Sequence, residues 1–150
     1  MGILDGRVVV ITGASRGIGA ATAEAMAAEG AALMLLARHS DDITALAGRL
    51  RRGGARAEAM TCDVARYGQV EAAVGRARDV FGRIDVMVNN AAVIDPIGPM
   101  ARSDPAAWGA ASDITFKGVY HGMRATLGAI EEVWINAQTF EPTISTIGQE

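Results

Sequence analysis

Four short apolar runs, each followed by a stretch of helical periodicity, organise this chain. Arg7 to Thr12 holds Val8-Val9-Val10-Ile11, an unbroken run suited to a strand buried on both faces. A glycine-rich turn leads into an alanine-rich segment from Gly17 to Glu29, which predicts a helix stopped by Gly30. Ala32 to Ala37 predicts a second buried strand. Ser40 stands where it can N-cap a helix whose apolar face is Ile43, Leu46 and Leu50, and Gly53-Gly54 end that helix. Ala55 to Thr61 reads as a weaker third strand. Val70, Val74, Ala77 and Phe81 then fall at helical spacing before Gly82, and Ile84 to Val88 is the fourth strand. Asp104-Pro105 has the form of an N-cap followed by proline at the first helical position. The helix after it is expected to run through Trp108, Ala111, Val119 and Met123 to about Ile130.

Strands alternating with helices predict an α/β fold with a doubly wound parallel sheet and right-handed crossovers. The expected strand order is 3-2-1-4. The pattern fills residues 1–130 as one domain and changes at 131–150, a divergent C-terminal tail. All 14 Lys and Arg residues lie at or before Arg124. Within the tail, Thr143 to Ile147 is the one strand-like stretch.

Composition narrows the function classes. With 50% hydrophobic and 21% charged residues over 150 positions, the chain is expected to form one packed domain and not a disordered tail. Its formal net charge of −3 argues against nucleic acid or an anionic membrane as the main partner. No apolar run approaches the ~18–20 residues that span a bilayer. Met1 to Arg7 is read as carrying no secretory leader. A lone Cys62 excludes an internal disulfide and fits a reducing, cytoplasmic setting. His39 and His121 are the only histidines, so no metal site is expected.

The turn Thr12-Gly13-Ala14-Ser15-Arg16-Gly17-Ile18-Gly19 follows a buried strand and opens a helix. Gly13 permits the tight turn, Gly17 lets a pyrophosphate approach the backbone, and Gly19 lets helix and strand pack closely. The helix N-terminus then offers free N–H groups and a positive dipole end to phosphate. The competing reading is an ordinary tight βα turn. No Gly-Lys-Ser/Thr occurs, which argues against a nucleoside triphosphate loop.

Thr-Gly-x-x-x-Gly-Ile-Gly at 12–19 resembles the short-chain dehydrogenase/reductase family. Three further stretches agree with it: Cys62-Asp63-Val64, Phe81-Gly82-Arg83-Ile84-Asp85, and Val88-Asn89-Asn90-Ala91-Ala92. The resemblance covers residues 3 to about 130 and implies a Rossmann-like, NAD(P)-binding domain. It implies that the turn with Gly13, Ser15, Arg16, Gly17, Ile18 and Gly19 holds the cofactor pyrophosphate. It implies further that Asp63 contacts the adenine, that Val64 packs beside it, and that Asn90 and Ala91 line the groove. Ala92 stands where the family usually has glycine. NAD binders place a carboxylate at the end of strand 2 to accept from the ribose 2′-OH. Here that strand ends Leu36-Ala37-Arg38-His39. Arg38 and Arg16 offer guanidinium groups to a 2′-phosphate, so NADP is expected, with NAD second. The alternative is that Arg38 is a solvated surface residue; His39 is read as a solvated turn residue and not as a ligand.

The family moves a hydride between nicotinamide and a carbonyl or alcohol carbon, which makes a small carbonyl or alcohol compound the implied substrate. Its helpers are a Tyr, a Lys four residues later, a Ser and a helical Asn. Thr115 occupies the Asn position, where a hydroxyl can bond a water but cannot reproduce the amide. Lys117 is the only lysine; Tyr67 is followed at the fourth position by Glu71 and Tyr120 by Arg124. Ser145 is the one late serine and no family motif surrounds it. No catalytic residue is therefore assigned. The departure near residue 130 is expected from a truncated or frame-shifted chain lacking strands five to seven. Three readings stay open: an NADP-dependent oxidoreductase by ancestry, a non-catalytic dinucleotide-binding or interaction protein, and a non-functional truncation product. Strand 4, built for a sheet centre, is expected at an edge, which favours a homo-oligomer through that edge or through the fourth helix.

Overall fold

The computed structural model describes residues 2–127. A parallel sheet runs in the order β3-β2-β1-β4, with β1 Val8–Thr12, β2 Ala32–Ala37, β3 Ala57–Thr61 and β4 Val86–Val88. Val9 of β1 faces Leu33 of β2 on one side and Val86 of β4 on the other. The expected fold class and strand order are both present.

The apolar runs form strands because alternate residues feed two cores. Val9, Ile11, Leu33 and Leu35 pack with Ala23 of α1 (Gly17–Ala28) and with Ile43, Leu46 and Ala47 of α2 (Ser40–Arg52). Val10, Met34, Leu36 and Met87 pack with Val70, Ala73, Val74 and Ala77 of α3 (Tyr67–Phe81). All residues of β1 and β2 are buried. Gly82 ends α3 in the left-handed region, φ +83°, as its placement predicted.

Four local expectations need correction. Ser40 does not cap α2: it is the first helical residue, and its hydroxyl donates to Asp41 Oδ1 at 2.9 Å. Strand 3 begins at Ala57 and not Ala55, because Gly54 at φ +94° still belongs to the turn. Strand 4 begins at Val86 and not Ile84, although Ile84 is buried and Asp85 N–H already bonds Val8 O at 2.9 Å. The helix after Asp104 is not one regular helix. Asp104 caps it by accepting from Ala106 N–H at 3.0 Å, and Pro105 is its first residue. It then runs as α4 (Pro105–Ser112), a π-helical turn (Asp113–Lys117) and α5 (Gly118–Thr126).

The buried face of that helix is also not the expected one. Trp108 is 53% exposed, while Gly118, Gly122 and Thr126 of α5 are buried. A Cβ at Gly118 would lie 2.7 Å from Val64 Cγ2, and one at Gly122 only 1.9 Å from Asn89 Oδ1. Small residues let α5 approach the sheet end more closely than a row of large apolar side chains would. Among the described residues β4 pairs with β1 alone. It is therefore the outer strand, as expected, and Val86 and Met87 are buried, 8% and 0% exposed. No helix among the described residues is long and apolar enough to cross a membrane. The tail from residue 131, its strand-like stretch Thr143–Ile147 and Ser145 lie outside the described residues, as does the end of the helix expected near Ile130.

Candidate functional site

A cleft of about 520 Å³ opens where the C-terminal ends of the strands meet the glycine turn, the place where open α/β sheets bind ligands. Thr12, at the end of β1, organises it. The Thr12 hydroxyl accepts from the N–H groups of Asn90 and Ala91, each at 3.0 Å, and donates to Val88 O at 3.4 Å. Asn90 answers from the end of β4: its Nδ2 donates to Thr12 O at 3.0 Å and Gly13 O at 3.1 Å. Together these bonds tie the turn to the neighbouring strand end.

The glycines do different work within this lock. Gly13 sits at φ +65°, and a Cβ there would meet Ala91 Cα at 2.8 Å. Gly19 is held by contact: a Cβ would lie 2.2 Å from Gly13 O and 2.6 Å from Asn90 Nδ2. Gly17 combines φ +56° with open space, nothing lying within 4 Å of where its Cβ would be. Arg16 precedes α1 in extended conformation, with no side chain capping the helix and no acid in its first turn. The first N–H groups of α1 are thus left for a ligand. A bare glycine face beside an uncapped helix start fits a dinucleotide pyrophosphate.

Gly13, Ser15, Arg16, Ile18, Arg38, Val64, Asn90 and Ala91 all line the cleft. Gly17 and Gly19 shape the turn behind it. Asp63 is not among the lining residues: its Oδ1 accepts from Ala65 N–H at 3.0 Å, and its Oδ2 lies 3.6 Å from Arg66 Nε. Thr115 is engaged by the loop after β4. Its hydroxyl donates to Val93 O at 3.0 Å and accepts from Val93 N–H at 3.1 Å. It therefore clamps the loop after β4 to the π turn, and both its donor and a lone pair are committed there instead of to a water. Tyr67 and Tyr120 lie away from the cleft, against His121, whose Nδ1 is 2.6 Å from Val64 O.

Sequence reading missed Thr12 as the hub, and it missed Cys62, Val93 and Ile114 in the cleft wall. The signal for Thr12 was a hydroxyl ending an otherwise apolar strand. Cys62 is 2% exposed. Burial, with the neighbouring Asp63 charge, pushes its thiol up to about 11, so it is no nucleophile at neutral pH. Asp85, at the opposite end of β4, is the other perturbed acid. Burial raises its carboxyl, but donation from Arg83, Val8 N–H and Arg7, with the Arg83 charge, outweighs that and holds it below the ordinary carboxylate value. No group of three or more His, Cys, Asp or Glu suited to a metal occurs among the described residues.

Residues 7–133 match the family described as short chain dehydrogenase. The short-chain reductase protein NovJ of Streptomyces niveus is 50% identical over 86 residues, 57% of this chain and 33% of that protein. Oxidoreductase UcpA of Salmonella typhimurium is 42% identical over 127 residues, 85% of this chain and 48% of that one. Among solved structures, a short chain dehydrogenase/reductase from Burkholderia phymatum in complex with NAD superposes with TM-score 0.84 at 31% identity. The alignment covers 90% of this chain and 49% of that one. A metagenomic short-chain oxidoreductase in complex with NADP gives 0.76 at 38% identity, covering 81% and 55%. The chain spans a third to a half of the length of these two curated relatives.

Proposed function

Because this chain belongs to the short-chain dehydrogenase family, we propose that it binds a nicotinamide dinucleotide in the strand-end cleft and prefers NADP to NAD. The observation carrying the preference is the pair of guanidinium side chains on one cleft, Arg16 and Arg38, with no acid among Ala37, Arg38 and His39 at the end of β2. Asp42 also lines that cleft, but it belongs to the first turn of α2, where a carboxylate serves the helix dipole. The glycine turn and the start of α1 hold the pyrophosphate, and Asn90 and Ala91 line the path toward the nicotinamide. Val64, in the cleft wall, is assigned to the adenine end, with Asp63 beside it holding Ala65 N–H and Arg66. When bound, the nicotinamide supplies a hydride donor or acceptor. A cytoplasmic setting, where NADP is at hand, suits a chain whose one cysteine is a buried thiol.

The test is calorimetric titration with NADP⁺ and NAD⁺. NADP⁺ should bind more tightly. Arg38→Asp should weaken it by about 1.5–3 kcal/mol, tenfold or more, and leave NAD⁺ nearly unchanged. Tighter binding of NAD⁺ by the unaltered protein would overturn the preference.

The reading extends to chemistry in one respect. These 150 residues contain no Tyr-x-x-x-Lys pair, and Thr115 is occupied by Val93. Among the described residues no positioned acid takes the place of that pair, an element worth about 10²–10⁴-fold. This chain alone should therefore not oxidise NADPH at a family-like rate against ketones, quinones or β-ketoacyl thioesters. Turnover of roughly 1 per second or faster, abolished in Arg38→Asp, would refute this.

A further inference from the structure

The cleft that holds Arg16 and Arg38 has a third basic side chain in its wall, His39. This residue follows Arg38 at the end of β2, in extended conformation (φ −111°, ψ 134°), immediately before the first turn of α2. It is exposed. We propose that His39 is a pH-dependent specificity residue that strengthens the choice of the 2′-phosphorylated dinucleotide when its imidazole is protonated. The proposal rests on the NADP reading above and adds regulation to that same subsite.

The charged and titratable groups around His39 can be set out by element. From the strand end comes Arg38; from the glycine turn, Arg16; from the end of β3, Cys62; all line the cleft with it. From α2 come Asp41 and Asp42, of which Asp42 lines the cleft and Asp41 accepts from Ser40. The arginines remain cationic at every working pH and Cys62 remains a neutral thiol, so neither produces a pH response near neutrality. The aspartates oppose an anion and are the same in every variant compared. Histidine is the side chain whose charge changes between pH 5 and 8. Protonation converts an imidazole that can lend one N–H into an imidazolium with two donors and a full charge. Affinity for the 2′-phosphate should therefore rise as pH falls. NAD lacks that phosphate and should not respond in the same way.

The phosphate itself takes up a proton near pH 6, which weakens its attraction to any cation. Comparison of variants removes this complication, since the ligand titrates identically in each. Binding of NADP⁺ and NAD⁺ is measured by calorimetry at pH 8 and pH 5.5, at low ionic strength, for the unaltered protein, His39→Gln and His39→Lys. Between pH 8 and pH 5.5 the NADP⁺/NAD⁺ affinity ratio of the unaltered protein should gain about three- to tenfold over that of His39→Gln. His39→Lys, cationic at both pH values, should raise the ratio at pH 8 and lack the gain on acidification that the unaltered protein shows over His39→Gln. Identical pH responses in the unaltered protein and His39→Gln overturn the proposal alone. Absence of any NADP⁺ preference at both pH values overturns it together with the reading beneath it.

Discussion

Gly19→Ala should destabilise the domain by about 3–5 kcal/mol. A Cβ at this position would stand 2.2 Å from Gly13 O and 2.6 Å from Asn90 Nδ2. The first of these is backbone in a turn that is itself pinned, so relief requires moving the turn or displacing Asn90. Overpacking of this kind costs about 1–3 kcal/mol. Losing the Asn90 bonds to Thr12 O and Gly13 O adds about 1 kcal/mol each. Against a usual total stability of about 5–15 kcal/mol, that leaves the variant marginal. Gly17→Ala is the instructive comparison. It lies on the same turn at φ +56° but meets nothing within 4 Å, so only the left-handed backbone penalises it, by about 1–2 kcal/mol. Urea denaturation of both variants measures the difference. If Gly19→Ala proves no worse than Gly17→Ala, the turn yields more easily than its hydrogen bonds imply.

Asp85→Ala should cost about 2–4 kcal/mol at pH 7. The carboxylate is 2% exposed and accepts from Val8 N–H at 2.8 Å, Arg7 Nη1 at 3.1 Å and Arg83 Nε at 2.9 Å. Arg83 Nη2 makes a further short contact. Arg7 and Arg83 are about half exposed, so water can solvate them once Asp85 is gone, and their share of the loss is correspondingly small. The Val8 amide is buried in the central strand and is left without its acceptor, which costs about 1–3 kcal/mol. The sign of the pH dependence follows from the same contacts. Folding holds the carboxyl below its unfolded value of about 3.9. Its contribution is thus present above that pH and disappears as acid protonates the folded group. Stability of the unaltered protein should fall on acidification below about pH 4. In Asp85→Asn that acid limb should flatten, while stability at pH 7 should already be lower. An unchanged acid limb in the variant would show that other carboxyls set it.

The parts of this fold that were legible in sequence are those where one physical requirement dominates a contiguous stretch. Val8-Val9-Val10-Ile11 and Leu33-Met34-Leu35-Leu36 had to be buried on both faces, and they are. Ile43 and Leu46 fall on the buried side of α2 as their spacing required. The glycine turn was legible because φ, contact and open space each demanded glycine at a separate place. What escaped depends on partners far along the chain. Thr12 meets Asn90 across 78 residues, and Thr115 meets Val93 across 22. Nothing local distinguishes such hydroxyls from solvated ones. Asp85 likewise reads as a charge at a strand start until Val8 is placed beside it. The buried face of α5 escaped for a different reason. Apolar periodicity looks for large side chains, and this face is made of Gly118, Gly122 and Thr126.

The π turn at Asp113–Lys117 divides the last helix into two phases. Each i to i+5 bond takes in one residue more than the regular pattern, and one residue is worth about 100° of rotation about the axis. α5 is keyed to the sheet end by two glycines that admit Val64 and Asn89, whereas α4 has no buried residue to hold its own phase. The bulge absorbs that mismatch, so the two segments are decoupled with respect to insertions and deletions. Substitutions on α4 are free to drift without disturbing the cleft. A single-residue deletion between 113 and 117 would take up the extra residue and leave a regular helix, so α5 would keep its glycine face on the sheet and the loss would fall on the clamp between Thr115 and Val93.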